Sequence, residues 1–331
     1  MDSLKEQIRA KKGLIVWLAS FPKSGNTWFR CFLSALMDGT VEINQLQTDG
    51  IFSSRHLLDV TFDIDGRLLD EQEVKNRMPK VIRFYAERRQ KLLFCKIHDA
   101  YSINAKEQPI IPADVTHKAI YLIRNPLDVV ASYANHNSCS KDRAIKMMNK
   151  KNGYLARQKN GFNVNNQLPQ LMYDWSGHAD SWHDQKEIEV LTVRYEDMKH
   201  KGLETFSKVI ADLGLEVSEA DIAKAIELTK FDKLKKAEEE KGFQEKSVSS
   251  PSFFRKGKTG GYKEELTPGQ IALICEAHGE TMQRFSYEIP KEAATIQQNA
   301  DKERVRLAAE KAERQKAIAA QREKVLASAS K

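Results

Sequence analysis

Short apolar runs alternate with helix-patterned segments over most of the chain. Four runs rich in β-branched and aromatic residues predict buried strands at 14–18, 91–98, 119–123 and 189–193. Apolar positions three and four residues apart predict helices at 28–37, 71–90 (interrupted at Pro79), 127–134, 203–213, 219–230 and 267–285. Strands that alternate with helices are typical of parallel sheets. We therefore expect an α/β fold, a single domain whose mostly parallel central sheet is flanked by helices.

The C-terminal segment 291–331 differs in composition from the rest of the chain. It consists mainly of Ala, Lys, Glu, Arg and Gln, and it contains no aromatic residue. Helix propensity is high there, but the apolar positions keep no heptad register. We expect a domain at 1–290 followed by a charged, Ala-rich helical tail at 291–331. That tail is either a solvated helix or a helix that binds a partner.

Charge and cysteine content narrow the function classes. The net charge of +7 favours an anionic ligand, but 46 acidic residues dilute it too far for nucleic-acid binding to be expected. No apolar run approaches the roughly 20 residues of a membrane span, and the N-terminus does not resemble a signal peptide. The four cysteines are scattered without zinc-ligand spacing. We expect a reduced, cytoplasmic protein with no membrane partner and no metal.

The loop after the first strand, 22–27, has the composition of an anion-binding turn. It combines small residues with Lys23 and leads directly into a helix, whose first N–H groups and dipole attract negative charge. The loop is not a Walker A motif, because Lys23 precedes the loop's only glycine, Gly25. An ordinary β–α connection is the alternative interpretation.

Polar residues also follow the next two strands. Lys96 and His98 share one strand face, and a histidine titrates near neutrality, so His98 can take a proton from an alcohol. Arg124 follows the third strand, and Ser132 lies eight residues later in the next helix. Ligands bind at the carboxyl ends of parallel strands, so these residues are expected to form one site.

A glycine-rich basic segment at 253–263 predicts a second anion clamp. Arg255 and Lys256 directly precede Gly257 there, which allows the backbone to approach a ligand closely. A flexible basic surface loop is the alternative. Two anion sites and one base at a strand end together describe a nucleotide with charged groups at both ends.

Six motifs in this order resemble the cytosolic-type sulfotransferases, which use 3′-phosphoadenosine 5′-phosphosulfate (PAPS). They are FPKSGNTW at 21–28, KIH at 96–98, RNPLDVVAS at 124–132, RYEDM at 194–198, FDKL at 231–234 and RKG at 255–257. The resemblance covers about 14–285 and implies a P-loop-like phosphosulfate-binding loop. It departs from the family at Asn26, where threonine is common, and at Pro268 and Ala272 in the family's dimer segment. That dimer is therefore not expected, and the oligomeric state stays open.

The resemblance implies a role for each motif. His98 would be the general base, with Lys23 and Lys96 stabilising the leaving phosphate and the transferring sulfuryl group. The loop that would hold the 5′-phosphosulfate comprises Lys23, Ser24, Gly25, Asn26 and Thr27. The residues that would hold the 3′-phosphate are Arg124, Ser132, Arg255, Lys256 and Gly257. The residues around adenine would be Trp28 and Phe231, with Tyr195 and Thr229 as polar contacts. The product would be the bisphosphate PAP, and no metal would be needed.

The acceptor side is less defined. Trp175, His178 and Trp182 resemble the family's acceptor-side W-x-x-H-x-x-x-W stretch, and helical spacing puts them on one face, which fits core packing or an acceptor pocket. Phe21 is a further candidate acceptor contact. The basic stretch 141–160 either borders the acceptor entrance or is solvated surface. The K-x-H element favours a small alcohol or phenol over a carbohydrate hydroxyl as acceptor.

Two other function classes stay open at this point. A P-loop-type kinase of small molecules would share the opening strand, loop and helix. This sequence, however, lacks the Walker A pattern and an obvious Mg²⁺ carboxylate. A nucleotide-binding interaction protein would use the basic tail as its partner surface.

Overall fold

The computed structural model describes residues 2–157, 166–247, 250–293 and 295–296. It divides into two compact units, one up to Leu266 and one from Thr267 onward. The first unit contains every predicted site residue. The second contains helix α13 (Pro268–Arg284), which begins with a capping box between Thr267 and Gln270. The predicted domain boundary at 290 stays a prediction, because most of the 291–331 tail lies outside the described residues.

A five-stranded parallel sheet forms the centre of the first unit. Its strands are β1 (Ile15–Ser20), β2 (Asp49–Ile51), β3 (Leu93–Ile97), β4 (Thr116–Ile123) and β7 (Val190–Arg194), in the spatial order β2-β3-β1-β4-β7. A separate antiparallel ribbon joins β5 (Tyr154–Leu155) to β6 (Gln170–Leu171). The predicted α/β fold with a mostly parallel sheet is confirmed. Strand β2, which has only three residues, was not predicted.

Helices cover the sheet. In the first unit they are α1 (Asp2–Ala10), α2 (Asn26–Asp38), α3 (Arg55–Phe62), α4 (Glu71–Glu87), α5 (Pro126–His136), α6 (Lys141–Met148), α7 (Trp175–Asp184), α8 (Tyr195–His200), α9 (Gly202–Asp212), α10 (Glu219–Leu228), α11 (Phe231–Lys241) and α12 (Tyr262–Glu265). Among the helices of the described residues, none is long and apolar enough to cross a membrane.

The predicted interruption of α4 at Pro79 is wrong. The helix continues from Glu71 to Glu87 with the proline inside it. A proline removes one backbone hydrogen bond, but the turns after it bury Val81, Ile82 and Tyr85. The Asp70 capping box at the first turn adds further support. This packing offsets the lost hydrogen bond.

Aromatic packing between α2 and α9 fixes the position of α2, the helix that begins at the first loop. Phe32 of α2 and Phe206 of α9 stack with their ring centroids 3.9 Å apart, and Phe29 stacks on Phe206 at 5.8 Å. Trp28, in the first turn of α2, meets Phe206 edge-on at 6.0 Å. The start of α2 is therefore held by the core and not only by the loop before it.

Phe206→Ala should strongly destabilise the protein, because the ring is fully buried between three aromatic neighbours. We expect a loss of about 3–5 kcal/mol in the free energy of unfolding. Leu203→Ala on the same helix is the matched control, since Leu203 is 42% exposed; it should cost less than about 1 kcal/mol. Urea unfolding of both variants measures the difference. Equal losses would contradict the packing described here.

Candidate active site

The carboxyl ends of β1, β3, β4 and β7 open into one cavity of about 790 Å³. Fourteen of the predicted site residues line this cavity: Lys23, Gly25, Asn26, Thr27, Trp28, Lys96, His98, Arg124, Ser132, Tyr195, Phe231, Arg255, Lys256 and Gly257. Segments far apart in sequence thus meet at one edge of the sheet, as parallel strands require. Whether each residue performs its predicted role stays a prediction.

The first loop is held in a specific shape between β1 and α2. Lys23 has φ 70° and Gly25 φ 99°, so two of its residues adopt the left-handed conformation. The side-chain amide of Asn26 donates to the Leu18 carbonyl at 2.7 Å and to Ser20 Oγ at 3.2 Å. Asn26 therefore ties the loop to its own strand, which is a task the resemblance did not imply. Ser24 Oγ is buried and has no hydrogen-bond partner among the described residues.

Lys23 is a largely buried cation that lies over an aromatic ring. Its Nζ lies 3.7 Å from the centroid of the Phe253 ring. Burial, followed by the positive charges of Lys96 and Arg124, lowers the pKa of Lys23 to about 7. Negative charge placed nearby would raise the pKa again, because it favours the ammonium form. The site is thus arranged to receive an anion.

The hydrogen bond of His98 determines which ring nitrogen can act as a base. Nδ1 lies 2.7 Å from the Ser20 carbonyl oxygen, which can only accept, so Nδ1 carries the proton. In the neutral ring, Nε2 is then the unprotonated nitrogen. Burial, and secondarily the charge of Lys96, lowers the pKa of His98 well below its usual value. His98 is consequently neutral at physiological pH and can accept a proton.

Lys96 is paired with a carboxylate that no sequence motif marked. Its Nζ lies 2.9 Å from Glu245 Oε2, and the other oxygen of Glu245 lies 2.5 Å from Arg30 Nη1. Burial opposes the charge of Glu245, but Lys96 and Arg30 outweigh it and lower the pKa of that carboxyl to about 2. Thr27 Oγ1 is 3.5 Å from the same carboxylate. Glu245 lines the cavity and is ionised there.

A second group of cations lies around Arg124. Its guanidinium carbon is 4.4 Å from the Tyr195 ring centroid, and its Nη2 donates to the Lys258 carbonyl at 2.9 Å. Arg255 and Lys256 both pair with Glu265, at 2.7 Å and 3.0 Å. Arg124, Arg255 and Lys256, which are predicted to bind one phosphate, all line the same cavity.

Two further carboxylates fix the backbone of the basic loop. Asp128 accepts hydrogen bonds from the N–H groups of Gly260 at 2.7 Å and Tyr262 at 2.9 Å. Glu238 accepts from the N–H groups of Phe253 at 2.7 Å and Phe254 at 2.8 Å. The loop is therefore fastened at both ends, which argues against the alternative of a flexible surface loop.

The two predicted aromatic platforms both reach the cavity. Trp28 meets Tyr195 edge-on at 5.6 Å. Phe231 covers Gly257 so closely that an added Cβ would lie 2.2 Å from the ring. Thr229, by contrast, is fully buried and outside the cavity lining, and its hydroxyl donates to the Ala225 carbonyl.

The candidate acceptor residues lie behind the base. Phe21, Trp175 and His178 are buried and are not among the residues that line the cavity. His178 Nε2 donates to the His98 carbonyl at 2.9 Å, and its Nδ1 accepts from the Tyr121 hydroxyl at 2.8 Å. Phe21 packs edge-on against His178. This arrangement fits the core-packing interpretation, in which these side chains support the end of β3. Trp182 belongs to the same buried face.

Several further cavity walls come from segments without a motif. They include Gly50, Ile51, Tyr133, His136, Asn137, Leu155, Ala156, Gln167 and Gln170. Phe253 and Phe254, at the start of the basic segment, line the cavity as well. Within the described part of the basic stretch 141–160, only Leu155 and Ala156 line the cavity. Lys151 of that stretch pairs with Asp174 instead. Residues 158–160 lie outside the described part. No group of three or more His, Cys, Asp or Glu side chains in the described ranges is placed to hold a metal.

The chain is similar in sequence to known sulfotransferases. The model of the sulfotransferase domain family matches residues 15–286. The chain is 27% identical over 267 residues to cytosolic sulfotransferase 13 of Arabidopsis thaliana, covering 76% of this chain and 71% of the relative. It is 26% identical over 273 residues to cytosolic sulfotransferase 8 of the same plant, covering 78% and 75%.

Solved structures share the fold at low sequence identity. A retinol dehydratase in a complex with retinol and PAP has a TM-score of 0.54 and 17% identity, with 86% of each chain covered. Mouse sulfotransferase SULT7A1 complexed with PAP has a TM-score of 0.50 and 19% identity, with 85% of this chain and 90% of that chain covered.

Lys96→Met should raise the pKa of Lys23 above about 7, because it removes one of the charges that lower it. Burial remains, so the pKa should stay below that of a solvated lysine. Lys75→Met is the control: this lysine pairs with Glu71 outside the cavity. NMR titration of ¹³C-dimethylated lysines reports the value. A Lys23 pKa that is unchanged by Lys96→Met would contradict the coupling.

Proposed function

The chain belongs to the sulfotransferase domain family, and we propose that it transfers a sulfuryl group from PAPS to the hydroxyl of a small-molecule alcohol or phenol, leaving PAP as product. One observation carries the proposal. His98 lines the same cavity as two largely buried lysines, Lys23 and Lys96, and its hydrogen bond to the Ser20 carbonyl leaves Nε2 unprotonated.

The donor supplies an activated sulfuryl group on a phosphate leaving group. Lys23 and the N–H groups at the start of α2 would hold the 5′-phosphosulfate end. The buried Ser24 hydroxyl, which has no partner in the described part of the chain, fits an additional donor toward that anion. Arg124, Ser132 and the Arg255–Gly257 segment would hold the 3′-phosphate, with adenine between Trp28 and Phe231.

The reaction needs an in-line nucleophile and a neutralised leaving group. His98 Nε2 would take the proton of the acceptor hydroxyl as the oxygen attacks. Because its pKa is already lowered, His98 needs no further deprotonation at neutral pH. Lys23 would neutralise charge that develops on the departing phosphate. Lys96 would do the same at the sulfuryl oxygens.

The acceptor is proposed as a small molecule, with a carbohydrate hydroxyl as the second candidate. The retinol dehydratases of the same fold contain retinol or androsterone in their structures, which supports a small acceptor. The cavity walls include apolar Ile51 and Leu155 and polar Gln167 and Gln170, and this mixture suits a partly polar molecule. Membership of the sulfotransferase family removes the kinase alternative. Cytoplasmic localisation and the absence of the family dimer remain predictions.

His98→Gln should lower kcat by about 100- to 10,000-fold, because the general base is lost. PAP binding should remain within a few-fold of wild type, since the hydrogen bond described for the ring is to Ser20, which is not a predicted donor residue. His136→Gln provides the matched control, as His136 lines the same cavity. This variant should lower kcat by less than about tenfold.

Turnover is measured with PAPS and a panel of alcohols, phenols and sugars, following PAP release. In the wild-type enzyme, the acid limb of kcat/KM should lie below pH 6.5, because only the neutral ring accepts a proton and its pKa is lowered. Activity of His98→Gln within tenfold of wild type would exclude His98 as the base.

Gly257→Ala should weaken PAP binding by at least about tenfold, because the new Cβ would displace the Phe231 ring. Gly260→Ala separates this clash from backbone strain. Gly260 also has a positive φ, but an added Cβ there meets no atom within 4 Å. Gly260→Ala should lower the free energy of unfolding by roughly 1–2 kcal/mol, which is the strain of a left-handed alanine, and should have little effect on PAP binding. Calorimetry measures the PAP affinity of both variants. If Gly257→Ala and Gly260→Ala bind PAP equally well, Phe231 is ruled out as an adenine platform.

A further inference from the structure

Each of the two cation clamps in the cavity already holds a carboxylate of the chain itself. On the side of the first loop, Glu245 bridges Lys96 and Arg30 and lies beside Thr27. These are the residues around the predicted 5′-phosphosulfate site. Arg30, whose side chain is only 4% exposed, also donates to Thr48 Oγ1 at 2.9 Å.

The second clamp repeats the arrangement. Glu265 Oε2 accepts from Arg255 at 2.7 Å, and its Oε1 lies 3.0 Å from Lys256. Both cations are predicted ligands of the 3′-phosphate. Glu265 lines the cavity, as Glu245 does. Burial opposes its charge, but hydrogen bonds from Arg255 and Lys256 lower the pKa of Glu265.

These two carboxylates differ from those that are hydrogen-bonded to the backbone. Asp128 and Glu238 accept hydrogen bonds from main-chain N–H groups of the basic loop. Glu245 and Glu265 instead pair with the side-chain cations that the donor would need. A phosphate carries about −1.5 to −2 charges at pH 7, so a carboxylate left in contact with the same cations would repel it.

We propose that Glu245 and Glu265 are internal counter-anions of the donor site, which the two charged ends of the nucleotide displace when it binds. This inference rests on the proposed function, because it takes the donor to be a nucleotide with anionic groups at both ends. In the free protein the carboxylates neutralise two neighbouring pairs of cations, of which Arg30 and Lys96 are the most shielded from water.

The exchange has a functional consequence. Each carboxylate lowers the affinity for the nucleotide. Glu265 competes with the 3′-phosphate, which PAPS and PAP share, for Arg255 and Lys256. Glu245 adds negative charge beside Thr27 of the first loop, where both nucleotides would carry a phosphate. When the product leaves, the carboxylate returns to its cations and stabilises the free enzyme. The counter-anions therefore favour release of PAP, a step that limits turnover in many enzymes.

The test measures PAP affinity by calorimetry for wild type, Glu245→Gln and Glu265→Gln at one ionic strength. Glutamine keeps the size of the side chain and a carbonyl acceptor but removes the charge. We expect each variant to bind PAP roughly three- to tenfold more tightly, with a slower dissociation rate. Glu71→Gln is the control: Glu71 also pairs with two cations, Lys75 and Arg157, but lies outside the cavity. Its affinity should equal that of wild type.

Unchanged or weaker binding by a variant that remains folded overturns the assignment for that carboxylate. If Glu245→Gln does not fold because buried Arg30 loses its partner, Glu245→Asp withdraws the carboxylate by one methylene, and tighter binding is again expected. If wild type and all variants bind no PAP and transfer no sulfuryl group, the proposed function itself fails. Binding by wild type without the gain in the variants refutes the counter-anions alone.

Discussion

The hydrogen bond from His98 Nδ1 to the Ser20 carbonyl joins the two strands on which the site depends. Ser20 ends β1, directly before the anion-binding loop, and His98 directly follows β3. The bond therefore holds the ring against the end of β1, which already pairs with β3, and it also selects the ring tautomer. Behind it, His178 holds the His98 carbonyl and is itself held by Tyr121. The Ser20 carbonyl, His178 and Tyr121 thus together orient Nε2 of His98. This suits a reaction whose rate depends on close alignment of the reacting groups.

Buried positive charge is the second constraint. Lys23, Lys96 and Arg124 surround one cavity, and burial together with mutual repulsion lowers the pKa of Lys23 to about 7. Such a cluster costs folding free energy unless anions compensate it. The chain supplies one of these anions, Glu245, which pairs with Lys96 and also raises the pKa of Lys23, and the donor would supply others. The electrostatics of the free protein and of the donor complex are consequently linked through the same cations.

Local signals made the framework and most of the cavity predictable. Strand ends and glycine-containing turns mark Lys23, His98, Arg124 and Gly257 through nearby sequence, because the parallel topology brings such ends together. Glu245 and Glu265 carry no such mark, since their roles depend on contacts with residues far away or on a loop whose path is set by tertiary structure. Trp175, His178 and Trp182 show a different limit of prediction from sequence. Spacing fixed that these side chains share one face, but it left open whether the face meets the cavity or the core.

The tautomer of His98 is the most direct test of the account. Selective ¹⁵N labelling of histidine and two-dimensional NMR distinguish a protonated ring nitrogen from an unprotonated one. We expect a protonated Nδ1 and an unprotonated Nε2 in the ligand-free enzyme, unchanged as the pH falls through 6.5. A ring protonated at Nε2, or an imidazolium already at neutral pH, would contradict it, because neither form can accept the proton of an acceptor hydroxyl at Nε2.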